Sequence, residues 1–384
     1  MSDLSPLSGV KRKSNFGAVR SVDDPSRTLA SISCCSREPG FSLYQGVRLS
    51  SYDAASETGV CMRRREFIGL IGGAAAAWPL VARAQQSGTP KVGYVWIGER
   101  STDVSGAGLR QGLVDKGYEI GRNLAFEARY AHGDIEKVPA LIAELLALKV
   151  DVLVTVGTSI SLAARRATST VPIVCISGDP VGTGLVASLS RPGGNVTGLS
   201  LLAADYSEKW LELLKEALPK LHRVAVLWNA DNPSIVLEME RLLAAARALG
   251  IDLTAFSAKP NDIKVSFAAI ANGGLDGLVV TTDASIEPST PRIIAWAAEH
   301  RLPTIYPFST AVQQGGLMSY SADFFKLWRL GASYVDRILK GEKPADLPIE
   351  QPTAVTLKIN LKTAKALDLA VPSTLVARAD EVIE

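Results

Sequence analysis

The segment DVLVTVGTSISLAARRATSTVPIVCIS, residues 151–177, decides the fold of this chain. Two aliphatic runs, 152–156 and 173–176, flank a stretch with helical periodicity at 159–168. Uninterrupted Val, Ile and Leu runs joined by a helix are typical of neighbouring parallel strands covered on both faces. The segment therefore predicts a strand–helix–strand unit of an α/β protein.

The same alternation extends along the chain in both directions. Further strands are predicted at 92–97, 124–129, 196–199, 224–228, 253–256, 277–280, 304–306 and 317–319. Further helices are predicted at 106–116, 135–148, 207–218, 234–249, 262–272, 291–300 and 323–340. One series runs from Lys91 to about Ser200 and a second begins at His222, so we expect two doubly wound parallel-sheet lobes.

The tail from about Leu317 is too small to form a domain of its own. We expect it to add elements to both lobes, so that a multi-strand hinge joins them around a cleft. We assign residues 85–203 plus 317–345 to lobe 1 and residues 204–316 plus 346–384 to lobe 2.

An export signal precedes the lobes, at residues 62–84. The sequence MRRREFIGLIGGAAAAWPLVARAQ, 62–85, has a twin-arginine block at Arg64 and Arg65, a short apolar run and an Ala-x-Ala cleavage site. The run is shorter than the about 20 residues that a spanning helix needs. We expect cleavage near Ala84 and a periplasmic protein. The alternative is a short buried helix, and the choice between twin-arginine and general secretion stays open.

Residues 1–61 are rich in Ser, Arg and Gly and lack apolar periodicity, which predicts a disordered leader. Because an export signal is normally read at the free N-terminus, we interpret Met62 as the true start and the leader as untranslated. The alternative is a real extension that blocks export.

Composition and motifs exclude several classes of function. With 41 Lys and Arg against 39 Asp and Glu, the net charge of +2 gives no basis for binding nucleic acid. No Walker A, G-x-S-x-G, H-E-x-x-H or metal-ligand spacing occurs, so we expect no cofactor, no metal site and no catalytic residues. The motif GTGLVA at 182–187 fits a dinucleotide fingerprint loosely, but it follows a turn rather than a strand. Cys175 is interpreted as a small buried hydrophobe.

In open parallel sheets, ligands bind beyond the carboxyl ends of the strands, and this rule selects the candidate site. Thr158 and Ser159 open a helix after the strand at 152–156, and their hydroxyls and backbone N–H groups suit a carboxylate. Gly178 permits close backbone approach, and Asp179 suits a ligand ammonium. The structural alternatives are a helix cap and an Asp-Pro turn.

In the second lobe, Asn229 and Asp283 hold equivalent positions after their strands. Asn229 can donate and accept hydrogen bonds, and Asp283 can pair with a cation; the alternative for both is helix capping. Trp96 and Tyr320 are candidates for stacking on the ligand, with core packing as the alternative. Together these residues predict an amino acid or similar zwitterion, with aromatic amino acids among the candidates; a neutral sugar stays open.

Four blocks carry a family resemblance: residues 151–200, VAVLWNADNP at 224–233, residues 315–352 and INLKTAKAL at 359–367. They resemble the substrate-binding proteins of bacterial ABC transporters, specifically the tryptophan- and tyrosine-binding-like group. The resemblance covers residues 91–384 and implies a type I periplasmic-binding fold that closes on a ligand and hands it to an ABC permease in the inner membrane. It also supports Thr158, Asp179 and Asp283 as ligand contacts.

The chain departs from this family in two places. Gln85 stands where lipoprotein relatives carry Cys, which predicts a freely soluble protein. QPTAVTLKIN, 351–360, replaces a more strand-like segment. We expect a monomeric, non-enzymatic receptor of an ABC importer that works by hinge closure around a small molecule. The alternative is a periplasmic sensing subunit of a signalling system, which would use the same two lobes.

Overall fold

The computed structural model describes residues 88–201, 203–259, 262–352 and 354–384. The predicted leader and signal peptide, residues 1–84, lie outside the described residues. Within the described ranges, none of the helices combines the length and the apolar character needed to span a membrane.

The first sheet has five parallel strands in the order β2-β1-β3-β4-β5. The strands are β1 Lys91–Trp96, β2 Ala125–Tyr130, β3 Val152–Val156, β4 Ile173–Ser177 and β5 Val196–Ser200. Their helices are α1 Val104–Asp115, α2 Val138–Ala147 and α3 Thr158–Ala167. All residues of β3 and β4 are buried, as expected for aliphatic runs covered on both faces.

The second sheet has seven strands in the order β12-β11-β10-β9-β8-β6-β7. The strands are β6 Arg223–Trp228, β7 Asp252–Ser257, β8 Gly277–Val280, β9 Thr304–Tyr306, β10 Met318–Ala322, β11 Val355–Asn360 and β12 Glu381–Ile383. Pairing is parallel except between β10 and β11.

Eight more helices connect or cover these strands. They are α4 Ala203–Ala217, α5 Pro233–Leu249, α6 Ile263–Asn272, α7 Thr290–Glu299, α8 Thr310–Gln313, α9 Phe324–Leu339, α10 Leu361–Ala366 and α11 Ser373–Val376. The predicted α/β class with two parallel-dominated sheets is therefore confirmed.

The tail differs from the assignment made for it. Strand β10 pairs with β9 and β11 in the second sheet, whereas the sequence predicts that residues 317–345 belong to lobe 1. It follows α8 directly, and the edge of β9 satisfies its backbone groups. Leu347 and Ile349 belong to the core of the first sheet, and the carbonyl of Glu350 accepts a hydrogen bond from the N–H of Ser200 at 2.9 Å. Residues 346–350 therefore lie with the first sheet, not with lobe 2.

The segment QPTAVTLKIN also differs from expectation because it contains strand β11. Within it, Thr356 and Lys358 are partly exposed whereas Leu357 and Ile359 are buried. This period of two is the pattern of a strand with one solvated face, which occurs in antiparallel pairs such as β10 and β11. A search for continuous aliphatic runs therefore does not detect strand β11.

The chain crosses between the sheets three times: from β5 to α4, from β10 to α9, and from residue 350 to β11. Helix α9 packs in the core of the first sheet, where Trp328 and Tyr334 are buried. These crossings form the expected connection between the two halves.

Helices α1 and α9 approach closely where Gly108 and Gly112 lie one turn apart on α1. A Cβ at Gly112 would lie 2.5 Å from the carbonyl oxygen of Arg329 and 2.6 Å from the Cβ of Ala332. Because the first obstacle is backbone, relief requires the helices to separate.

We therefore expect Gly112→Ala to lower the free energy of unfolding by about 1–3 kcal/mol, the usual cost of overpacking. The gain in helix propensity from Gly to Ala, about 0.5–1 kcal/mol, offsets only part of that cost, so the net change remains destabilising. Gly88→Ala is the control, since a Cβ there meets no atom within 4 Å; we expect a change within about 0.5 kcal/mol. Urea denaturation measures both, and equal stability of G112A and wild type would contradict the tight packing.

Candidate functional site

A cleft lies where the carboxyl ends of strands from both sheets meet. Two glycines bring the walls into contact: a Cβ at Gly157, after β3, would lie 3.0 Å from the Cβ of Ala284, and one at Gly178, after β4, would overlap the Ser234 hydroxyl. Only a residue without a side chain permits these approaches. The two halves therefore touch at the inner end of the cleft.

Four predicted site residues line one space here, which we call the polar compartment: Thr158, Ser159, Asn229 and Asp283. Its other walls are Ile97, Ile135, Val156, Gly157, Ile160, Asn232, Ala284 and Ser285. The strand-end rule thus brought together residues from both sheets. The compartment has room for about one water molecule.

On the side of the first sheet, Thr158 is already engaged. Its Oγ1 lies 3.0 Å from Ser177 Oγ and accepts a hydrogen bond from the N–H of Gly178 at 3.1 Å. Ser159 is half-buried at the wall, and its hydroxyl has no hydrogen-bond partner among the described residues. Of the two, Ser159 is the one free to bind a ligand.

On the side of the second sheet, Asp283 is 3% exposed and fully hydrogen-bonded. Its Oδ2 accepts from Asn232 Nδ2 at 2.8 Å and Asn229 Nδ2 at 3.2 Å, and its Oδ1 accepts from the N–H of Ser285 at 2.7 Å and from the Ser285 hydroxyl. A carboxylate has about four acceptor positions, so all are used, and by neutral donors. The pairing of Asp283 with an ammonium stays a prediction, and these contacts favour a role in organising the loop.

The contacts of Asp179 are those of the turn. Its Oδ1 accepts hydrogen bonds from the N–H groups of Val181 at 3.1 Å and Gly182 at 2.7 Å. Such bonds from an Asp to N–H groups two and three residues ahead stabilise a turn by themselves. A ligand contact of Asp179 also stays a prediction.

The two aromatic candidates lie outside the polar compartment. Trp96 is 1% exposed in the core of the first sheet, with its ring edge-on to Tyr130 at 6.4 Å. Tyr320 lines a separate apolar space with Tyr206, whose ring lies edge-on to it at 6.2 Å. The position of Trp96 matches the core-packing alternative, and Tyr320 lines a space of about 10 Å³, which no more than one water molecule fills.

Behind the polar compartment lies Glu238, which the sequence reading did not select. It is fully buried on α5, and its Oε1 accepts a hydrogen bond from the N–H of Thr282 at 3.1 Å. Its Oε2 has no partner within the described part of the chain. Burial raises the pKa of Glu238 to about 8, and the charge of Asp283 adds to the rise. The detectable signal was its place between Ile235 and Leu242, on the apolar face of α5.

Two larger cavities lie farther out in the cleft and share Val104, Glu287 and Thr310. The phenylalanine cavity, lined also by Phe308 and Phe324, has a volume of about 490 Å³ and opens to solvent. The arginine cavity, lined also by Arg100, Asp103 and Arg110, has a volume of about 480 Å³. Each is large enough for a small organic ligand.

Glu287 is half-buried at the junction of these cavities. Burial raises its pKa to about 8, and the nearby Asp103 carboxylate adds to the rise. The rule that ligands bind beyond strand ends predicts Asp283, the first acidic residue after β8. Glu287 lies four residues further along the chain and is not predicted by this rule.

Two further observations concern the reactivity of Cys175 and the binding of metal ions. Cys175 is buried, and burial raises the pKa of its thiol to about 12, as suits a packed hydrophobe. In the described ranges, no group of three or more His, Cys, Asp or Glu side chains is placed to hold a metal ion.

Fold and cleft together define a class of protein that binds a solute between two lobes. A family model for ABC transporter substrate binding proteins matches residues 94–383, and the chain belongs to this family. Its relatives are substrate-binding proteins, not enzymes. The predicted resemblance is thus confirmed. A curated relative, the tyrosine-binding protein of Clostridioides difficile (strain R20291), is 29% identical over 273 residues, which cover 70% of this chain and 78% of the relative.

Solved structures confirm the fold. A conserved domain protein from Vibrio cholerae is 32% identical, with a TM-score of 0.73, and the match covers 77% of this chain and 100% of that one. An ABC domain in complex with L-Trp from Streptococcus pneumonia is 25% identical, with a TM-score of 0.71 and the same coverage. A ligand-free, open substrate-binding protein with adhesive properties from Clostridium difficile is 26% identical, with a TM-score of 0.55, covering 77% and 99%.

We expect the buried acid Glu238 to make stability depend on pH. Its pKa is about 8 in the folded protein against an ordinary value of 4.5, so between these pH values the folded state holds a proton that the unfolded state has lost. Stability must then fall as pH rises through this window, by at most about 1.4 kcal/mol per pH unit.

Glu238→Gln keeps an acceptor for Thr282 and removes the titration. We expect its stability relative to wild type to improve steadily from pH 5 to pH 8, measured by urea denaturation at each pH. Glu240→Gln, at an exposed position on the same helix, is the control and should show no such trend. A difference between E238Q and wild type that does not vary with pH would show that Glu238 is ionised in the fold.

Proposed function

We propose that this protein is the periplasmic receptor of an ABC importer and binds a small zwitterion in the cleft, with aromatic amino acids as the leading candidates. The observation that carries the proposal is a cleft whose walls come from strand ends of both sheets, joined by three crossings. A ligand in such a cleft bridges the two halves and favours the closed form. Relatives named for tyrosine and solved with L-Trp support the ligand class.

The mechanism is hinge closure. A ligand shifts an open–closed equilibrium only through contacts that exist in the closed form. The structure is more similar to the L-Trp complex than to the ligand-free open relative, with TM-scores of 0.71 and 0.55 at nearly equal identity. The contacts of Gly157 and Gly178 across the cleft also support a closed arrangement.

The space for the ligand lies in the two large cavities, because the polar compartment holds only about one water. Phe308 and Phe324 form an edge-on pair with ring centroids 5.2 Å apart at the wall of the phenylalanine cavity. Such a wall suits an apolar or aromatic side chain. Ser159, Asn229 and Asp283 line the separate polar compartment, where the Ser159 hydroxyl has no hydrogen-bond partner among the described residues.

Export and delivery complete the proposal. Substrate-binding proteins of ABC importers act outside the cytoplasm, and the signal predicted at 62–84 would bring the chain there. The closed protein would then present its ligand to an ABC permease in the inner membrane. We propose that it does so as a freely soluble monomer.

Calorimetry of the purified 85–384 protein against the twenty L-amino acids tests this function. We expect L-Trp or L-Tyr to bind with a Kd of about 1 μM or below, equivalent to about −8 kcal/mol, and with a negative heat-capacity change from apolar burial. The D-enantiomers are the matched controls and should bind more weakly. Binding of none of the amino acids, or consumption of the ligand, would contradict the proposal.

A further inference from the structure

Glu287 is set apart from the other carboxylates of the cleft by its lack of partners. Its carboxylate forms no hydrogen bond and no ion pair with any described residue, although it lines both large cavities. By contrast, Asp283 has four neutral donors. The acceptor positions of Glu287 are therefore available to a ligand, and those of Asp283 are not.

The other charges of the phenylalanine cavity are already satisfied. Its remaining charged residues form the ion pairs Lys326–Asp323 at 3.3 Å and Lys358–Glu381 at 2.5 Å, and Asp380 accepts the N–H of Leu357 at 2.8 Å. No cation of this cavity is left to pair with Glu287.

In the arginine cavity, Asp103 and Arg110 are likewise occupied. Asp103 accepts hydrogen bonds from Tyr94 at 2.7 Å and Tyr130 at 3.1 Å and lies 3.9 Å from Arg110. Arg100 is exposed, and its guanidinium has no partner among the described residues. Within the described walls of this cavity, the charged groups without a partner are thus Glu287 and Arg100.

A carboxylate and a guanidinium complement the two charges of an α-amino acid. Partial burial raises the pKa of Glu287 to about 8, and a bound cation would favour its ionised form. Glu287 also comes from the second sheet's half, whereas Arg100 comes from the first. A zwitterion held by both would join the halves.

We infer that Glu287, not Asp283, receives the ammonium group of the ligand, with Arg100 facing its carboxylate and the side chain lying toward Phe308 and Phe324. This inference rests on the proposed function, since it takes the ligand to be an amino acid. It assigns the selectivity for an α-ammonium group to one residue.

The test compares each amino acid with its analogue that lacks the ammonium: L-Trp with indole-3-propionate and L-Tyr with 3-(4-hydroxyphenyl)propionate. Calorimetry is run on wild type, Glu287→Gln and Asp283→Asn, with thermal melts to establish folding. Glu299→Gln is the matched control, because it makes the same change at an exposed position on α7. Glu287→Asp, which keeps the charge, is a second variant in case E287Q does not fold.

We expect wild type and E299Q to prefer the amino acid strongly over its analogue. E287Q should lose about 30-fold or more in affinity for the amino acid, the lower end for removing one partner of a buried charge pair. It should bind the analogue about as well as wild type does, so its preference collapses. E287D should keep part of the preference, and D283N should keep the preference of wild type, because the four donors to Asp283 are all protein groups.

Two results would overturn the inference. If E287Q keeps the preference and D283N loses it, the ammonium belongs to Asp283 while the proposed function stands. If wild type binds the analogue as tightly as the amino acid, or binds no ammonium-bearing probe, no ammonium is recognised in the cleft. The failure of the proposed function itself would be seen in the wild type alone, without any variant.

Discussion

The docking of α9 onto the first sheet is the interaction on which the rest of the structure depends. This helix begins two residues after β10, a strand of the second sheet, yet its Trp328 is buried in the first core, edge-on to Tyr94 at 6.5 Å. The glycines of α1 make room for it. Because α9 is fixed to one sheet and β10 to the other, the two sets of strand ends are held facing each other across one cleft.

The electrostatics of that cleft explain why it should need a ligand. Asp283 is solvated by neutral donors, and burial raises the pKa values of Glu238 and Glu287 to about 8. Glu287 has no ion-pair partner among the described residues, so an ammonium group placed beside it would favour its ionised form. In the proposed mechanism, a ligand with that charge therefore stabilises the closed form more than a ligand without it.

The sequence was sufficient for the parts of the fold that rest on aliphatic runs. Strands β3, β8 and β9 begin and end where the predicted runs do, because nearly all of their buried positions are apolar. Strand β11 was missed, since one face is solvated and its Thr and Lys interrupt the run. The assignment of β10 failed for a different reason. Which sheet a strand joins depends on a free edge elsewhere in the structure, and local sequence does not contain that information.

For the site, the rule that ligands bind beyond strand ends predicts where the cleft lies. It does not predict which carboxylate of the cleft lacks a hydrogen-bond or ion-pair partner. Thr158, Ser159, Asn229 and Asp283 meet as the rule requires. The rule ranks residues by closeness to a strand and takes no account of whether their acceptors are already used. Glu287 became a candidate only when the partners of each carboxylate were known, which requires the packed structure.

The most direct test of the account measures the distance between the two halves. Val114 on α1 and Val265 on α6 are 52% and 71% exposed. In the 85–384 protein, which lacks Cys34, Cys35 and Cys61, Val114→Cys and Val265→Cys can be labelled selectively because Cys175 is buried. Pulsed electron resonance between spin labels at these sites then reports the open and closed populations. The account predicts a broad or longer distance without ligand and a single shorter one with saturating L-Trp or L-Tyr, whichever binds. A distance distribution that saturating ligand leaves unchanged would contradict hinge closure.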